Sequence, residues 1–131
     1  SSIPVVEPKD KDSILPGFVY LAPANYHLYV EQGNCFSLSV EEPENHSRPS
    51  IDLTFFSVAL TYKERVLGII LSGANKDGAR GAKTIKDFGG EIIVQDPNSS
   101  EFAFMPKATI VNAKVDHIFN VKDLVNYVSS I

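Results

Sequence analysis

The chain has 131 residues, 44% apolar and 21% charged, which suits one globular domain with its own core and excludes a disordered or low-complexity chain. A net charge of −4 argues against nucleic acid as a partner, since phosphate binding rests on basic surface. The single cysteine, Cys35, allows no intrachain disulfide, and no apolar run approaches the roughly 18 residues that cross a bilayer; the expected setting is the cytoplasm, without membrane insertion.

In chain order, Ile3–Val6 reads as a short strand, followed by the charged, Pro-bearing connector Glu7–Asp12. Pro16-Gly17 is a turn signal, after which Phe18–Leu21, Tyr26–Glu31 and Cys35–Val40 read as an antiparallel strand meander. Ser50 suits the N-cap of a helix over Ile51–Tyr62, with Leu53, Phe56, Val58, Ala59 and Leu60 on a broad buried face. Val66–Leu71 is a nearly continuous apolar run, the pattern of a strand buried on both faces of a parallel sheet. A helix from about Gly78 to Phe88 carries Ala79, Ala82, Ile85 and Phe88 on one stripe and stops at Gly89-Gly90. With the strand Glu91–Gln95 it completes a βαβ unit. A turn-rich loop over Asp96–Glu101 leads to a helix over Lys107–Asn112, with Pro106 at its first turn. Asp116–Phe119 is a last short strand, and Asn120 with Asp123 opens a last helix. The fold class is therefore α/β: a doubly wound, mainly parallel sheet with helices on both faces, and an antiparallel meander near the N-terminus.

Sites in open parallel sheets form at the carboxyl ends of strands, which directs attention to the turn Ser72–Gly78. Asp77 is the leading candidate there, either as the N-cap of the following helix or as a carboxylate that orients a histidine for general-base work. The glycines of this turn match neither GxGxxG nor a Walker loop, so a phosphate cradle is the weaker alternative. His27, within a strand, suits a hydrogen-bonded structural role; His46 falls in a polar loop, and His117 has no partner visible in the sequence. No histidine pair has ligand spacing, so neither a metal nor a cofactor is expected. No serine sits in a GxSxG elbow; Ser50 reads as a cap, Ser57 as a helix residue and Ser72 as part of the turn. Arg48 reads as an exposed loop arginine and Cys35 as buried and inert.

Taken together, five stretches resemble, in order, the C-terminal catalytic domain of the CheB-type chemotaxis protein-glutamate methylesterases. They are Leu15-Pro16-Gly17 with Val19–Pro23 and His27; Arg48-Pro49-Ser50-Ile51-Asp52 with Phe55, Ser57 and Ala59; Ile70–Ala79 with Gly81; Gly89-Gly90 with Gln95-Asp96-Pro97 and Ser100; and Met105-Pro106-Lys107-Ala108. The resemblance implies a Ser–His–Asp hydrolase that cleaves glutamate γ-methyl esters in chemoreceptors and releases methanol. The family's triad aspartate falls on Asp77; its serine and catalytic histidine lie upstream of the matched motifs, and His27 matches a different family histidine. Ala74 stands where the family often has Met, a position whose backbone N–H serves the oxyanion site, with Asn75 in place of Gly after it. Gln95 and Met105 are implied to line the cleft. The implied partners are the cytoplasmic domains of methylated chemoreceptors and a regulatory receiver domain. Residues 1–131 are accordingly expected to be a single, N-terminally incomplete domain with an open sheet edge and uncovered apolar faces. The rival expectation is a non-catalytic interaction module that keeps the fold.

Overall fold

A computed structural model describes residues 2–131. Three parallel strands form its centre: β5 (Leu67–Ile70), β6 (Glu91–Gln95) and β7 (His117–Phe119), in the spatial order β5-β6-β7. Their alternation sorts the core. Ile92 and Val94 point into a cluster with Ile70, Ala82, Ile85 and Ala59, covered by α1 (Ile51–Tyr62), α2 (Ala79–Asp87) and α3 (Phe104–Asn112). Ile93, equally buried, points the other way, where α4 (Val121–Ser129) lies against β6 and β7. Helices therefore cover both faces of a parallel sheet, as the apolar runs of β5 and β6 require.

The N-terminal third is built differently. β3 (His27–Glu31) and β4 (Cys35–Ser39) pair antiparallel, with Leu28, Val30 and Phe36 buried beneath them. The antiparallel segment is this hairpin alone: β2 (Val19–Tyr20) pairs in parallel with β1 (Val5–Val6). α1 is packed between the hairpin and α2. Thr54 Oγ1 donates to Leu28 O (2.7 Å), and Val30 N–H donates to Ser57 Oγ (2.9 Å), so polar helix residues tie into the hairpin backbone. A helix covered on two sides needs no single apolar stripe, which is why Ile51, Phe55, Val58 and Tyr62 do the packing while Leu60, expected inside, is exposed.

Three further expectations are corrected. α3 begins at Phe104, not Lys107, because Pro106 sits in the first turn, where its missing N–H removes no intrahelical bond. Phe88 caps the end of α2 and is partly exposed instead of completing its buried stripe. Cys35 is half-buried. Among the described residues β5 is a sheet edge, and Leu71 just beyond it is 50% exposed.

Candidate active site

The turn after β5 is pinned from several sides. Ser72 N–H donates to Gln95 Oε1 (2.8 Å), Gly73 N–H to Phe102 O (2.9 Å) and Met105 N–H to Gly73 O (2.9 Å). Phe102 N–H donates to Ser72 Oγ (2.9 Å), so the hydroxyl closes the 72–102 contact. Ala74 sits exposed at the crest, and its N–H makes no hydrogen bond among the described residues. Asn75 Oδ1 accepts from Asp77 N–H (2.9 Å), an Asx turn that brings the chain down into the protein.

Asp77 is 2% exposed. Its Oδ1 accepts from Ser50 Oγ (2.8 Å), Asp52 N–H (3.1 Å) and Asn45 Nδ2 (3.3 Å), and its Oδ2 accepts from Ile51 N–H (2.6 Å). The carboxylate therefore occupies the N-terminal turn of α1, where free N–H groups and the helix dipole favour negative charge. It does not cap the helix that follows it. That N-cap is Gly78, at φ +104°, a left-handed turn that swings the chain from Asp77 into α2.

The cap of α2 comes instead from α1. Asp52 Oδ1 accepts from Gly78 N–H (3.0 Å) and Gly81 N–H (2.7 Å). Each aspartate thus holds the start of the other's helix. Asn45 Nδ2 joins the two carboxylates, 2.8 Å from Asp52 Oδ2 and 3.3 Å from Asp77 Oδ1. The clasp needs the helices close: a Cβ on Gly81 would lie 2.6 Å from Phe55 Cβ and 3.1 Å from Asp52 Cα.

His27 is fully buried behind Ser50, as a hydrogen-bonded structural residue. Its Nδ1 accepts from Ser50 N–H (3.2 Å), and Nε2–H donates to Glu42 O (2.9 Å), which assigns the tautomer. Ser, His and Asp side chains thus meet at one place without forming a catalytic triad. His27 faces the backbone of Ser50 and not its hydroxyl; that hydroxyl points at Asp77, and Ser50 is fully buried. Ser50 also takes its expected place as N-cap of α1, accepting from Leu53 N–H.

Of the residues picked from the sequence, Asp77, Ala74, Gln95 and Met105 all lie on or against the turn after β5. Gln95 is buried, and both ends of its amide bond loop backbone, at Ser72 N–H and Ser99 O. Met105 packs its side chain over Gly73. Arg48 is half-buried, not exposed: Nη1 donates to Val40 O and Glu41 O, both at 3.2 Å. His117 has partners the sequence did not reveal, its ring packing with those of Phe119 and Tyr127 and lying 3.6 Å from Glu91 Oε2. Asn45 was missed altogether, and Asp52 was noted only within a motif. The one local signal for Asn45 is that asparagine tolerates the left-handed backbone it adopts, at φ +53°.

Beside the clasp a cavity of about 310 Å³ opens, lined by Asn45, Asp52, Lys76, Arg80, Phe104 and Asn112 among others. Among the described residues no three His, Cys, Asp or Glu are grouped to hold a metal ion, and no helix is long and apolar enough to cross a membrane.

The model of the CheB methylesterase family matches residues 1–128. The chain belongs to that family. A Leptospira interrogans protein named for protein-glutamate methylesterase and protein-glutamine glutaminase activities is 43% identical over 123 residues, covering 94% of this chain and 64% of its own length. A Rhodospirillum rubrum protein-glutamate methylesterase/protein-glutamine glutaminase is 38% identical, covering 98% of this chain and 34% of its own. The crystal structure of the Thermotoga maritima CheB methylesterase catalytic domain superposes with a TM-score of 0.87 at 32% identity, over 92% of this chain and 66% of that one. The chain therefore spans less than two-thirds of the relatives' length.

Proposed function

We propose that this chain is the part of a protein-glutamate methylesterase domain that carries the triad aspartate, and that Asp77 is that residue. The observation that carries the proposal is the state of its carboxylate: buried, fixed by four donors, and with Oδ2 accepting only Ile51 N–H among the described residues. A carboxylate oxygen accepts two donors, so Oδ2 can take an imidazole N–H without giving up its place on α1. In the reaction the serine and histidine come from the segment upstream of the matched motifs, as the family resemblance implies. The histidine takes the serine proton as the serine oxygen attacks the glutamyl ester carbonyl, and returns it to the departing methanol. Water then cleaves the acyl-enzyme, with the same histidine as base, giving glutamate. Asp77 holds the imidazole tautomer and stabilises the imidazolium. The exposed Ala74 N–H is the proposed oxyanion donor, a role that a backbone group keeps whatever side chain it carries. Gln95 and Met105 hold the turn that presents it. Amide hydrolysis at glutamine, the second activity in the relatives' names, passes through the same glutamyl acyl-enzyme, with ammonia leaving in place of methanol, and belongs to the same proposal.

The proposed substrates are methylated glutamates of chemoreceptor cytoplasmic domains, met in the cytoplasm, with a receiver domain as regulatory partner. The test is methanol release from methylated receptor by the full-length protein and its Asp77→Asn variant. The expected loss is about 10³- to 10⁴-fold in kcat with the fold retained, since the asparagine cannot hold the histidine in the required form. Full turnover in the variant removes Asp77 from the mechanism. A folded wild-type protein that releases no methanol favours the non-catalytic interaction module.

A further inference from the structure

We propose that Asp52, with Asn45 as its bridge, is the positioning residue for Asp77. The inference rests on the esterase proposal for its catalytic consequence, but not for its structural content. Asp52 touches no group expected to react. Besides the N–H that Asp52 donates to Asp77 Oδ1, its carboxylate acts on Asp77 along two routes. The first is the backbone. Its Oδ1 fixes the N–H of Gly78, and so the plane of the peptide that follows Asp77, while its bond to Gly81 N–H sets that peptide against the first turn of α2. The second is the bridge. Its Oδ2 takes one proton of the Asn45 amide at 2.8 Å and thereby holds Nδ2 within 3.3 Å of Asp77 Oδ1.

Both carboxyls are buried, at 1% and 2% exposure, and close enough to share one amide. Two like charges so placed repel each other and lose solvation, a cost a merely structural cap would not incur. The arrangement is sustained because every partner can donate: Ser50 Oγ, the N–H groups of Ile51, Asp52, Gly78 and Gly81, and Asn45 Nδ2. The two helix N-termini supply the field that favours both anions. A single aspartate would cap one helix more cheaply. The reciprocal pair makes the position of Asp77 depend on the docking of α1 on α2, so the triad acid has one location relative to both.

The experiment uses the full-length protein labelled at aspartate Cγ, with Asp52→Asn and Asn45→Gly as variants. Asp52→Asn puts an amide N–H₂ against the Asn45 amide and breaks the bridge while keeping size. Asn45→Gly breaks it with the cap of α2 intact and suits the positive φ. The readouts are the carboxyl titration midpoint of Asp77 by NMR, and methanol release as kcat and KM. If Asp52 only caps α2, removing its charge relieves repulsion and the Asp77 midpoint falls in Asp52→Asn. If it positions Asp77, the lost donors dominate, the midpoint rises in both variants, and kcat falls about 10- to 100-fold with KM little changed. A midpoint that falls or stays in Asp52→Asn, or unchanged kcat in an active enzyme, overturns the inference. A wild-type protein without esterase activity ends the esterase proposal alone, because the two midpoints still decide whether Asp52 positions Asp77.

Discussion

Two clusters that each bring carboxylates and a histidine together lie at opposite ends of the sheet. At the carboxyl end, Asp52, Asp77, Asn45, Ser50 and His27 form a clasp whose carboxylates and imidazole are 2% exposed or less. At the other end, Asp116, Glu91, Lys86, His117 and Tyr127 meet at the entries to β6 and β7. There Lys86 Nζ lies 2.9 Å from Asp116 Oδ1 with both side chains a quarter to a third exposed, and Tyr127 donates to Glu91. Residue type does not separate the two. What differs is that both carboxylates of the clasp accept backbone N–H groups at helix starts and are buried, so their positions are tied to the backbone of α1 and α2. The second cluster is made of long, solvated side chains, whose pairing costs rotamer freedom and is screened by salt. Carboxylates and histidines are poor indicators of a site until their burial and partners are known.

The contrast breaks most visibly at Asp77. Beyond the catalytic effect proposed for it, Asp77→Asn turns an N–H₂ toward backbone donors on α1, whichever way the amide flips, and is expected to destabilise the fold by about 1–3 kcal/mol. Chemical denaturation of the purified variant measures this. Asp116→Asn serves as the reference and should lie within about 1 kcal/mol of wild type.

Gly81→Ala tests the clasp from its packing side. The added methyl meets Phe55 Cβ at 2.6 Å and backbone of Asp52 at 3.1 Å, neither of which is the free end of a flexible chain. Overpacking of this kind costs about 1–3 kcal/mol, read as a drop of several degrees in Tm, and it should pull α1 from α2. An unchanged Tm would mean that the helices separate freely and that the clasp does not hold them.

Much of this was readable in the sequence. The apolar run of β5, the Gly-bearing turn after it and the amphipathic start of α2 pointed to the carboxyl end of the central strand, and the motif there pointed to Asp77, which the structure buries in the clasp. Ser50 as N-cap of α1 and Asn120 as N-cap of α4, donated to by Asp123 N–H at 2.8 Å, followed from local capping chemistry. What could not be read was reciprocity. Asp52 looks like any acidic residue in a first helical turn, and Asn45 like any loop asparagine, because their partners Gly78, Gly81 and Asp77 lie 26 to 32 residues away. The two-residue pairing of β1 with β2 was hidden for the same reason, being parallel and non-local.

His27→Ala is expected to have the next effect. It strands Ser50 N–H, bonded at 3.2 Å, inside the protein and removes the 2.9 Å bond to Glu42 O. The loss is about 1–3 kcal/mol, and it loosens Ser50, one of the donors to Asp77. Measured stability separates His27 from His117: His117→Ala removes a stacked but partly exposed ring and should cost less. Equal losses would erase the distinction between the two ends of the sheet.

The smallest effect belongs to Asp116, and its sign can be fixed in advance. Burial pushes its carboxyl up, but the N–H of Ile92 at 2.7 Å, the Lys86 ammonium and the nearby His117 together outweigh burial and hold it below the ordinary carboxylate value. A carboxyl depressed in the folded state binds its proton more readily in the unfolded chain. It therefore contributes stability that is present above the unfolded pKa, about 3.9, and is lost as pH falls through the lower folded value. Because the Lys86–Asp116 pair is substantially solvated, that contribution is under about 1 kcal/mol. Urea unfolding across pH should show wild type more stable than Asp116→Asn at neutral pH, with the gap closing below about pH 4 and shrinking with added salt. A gap that persisted undiminished at the acid end would mean that Asp116 acts through the shape of its bond to Ile92 and not through its charge, and the second cluster would then resemble the clasp more than its exposure implies.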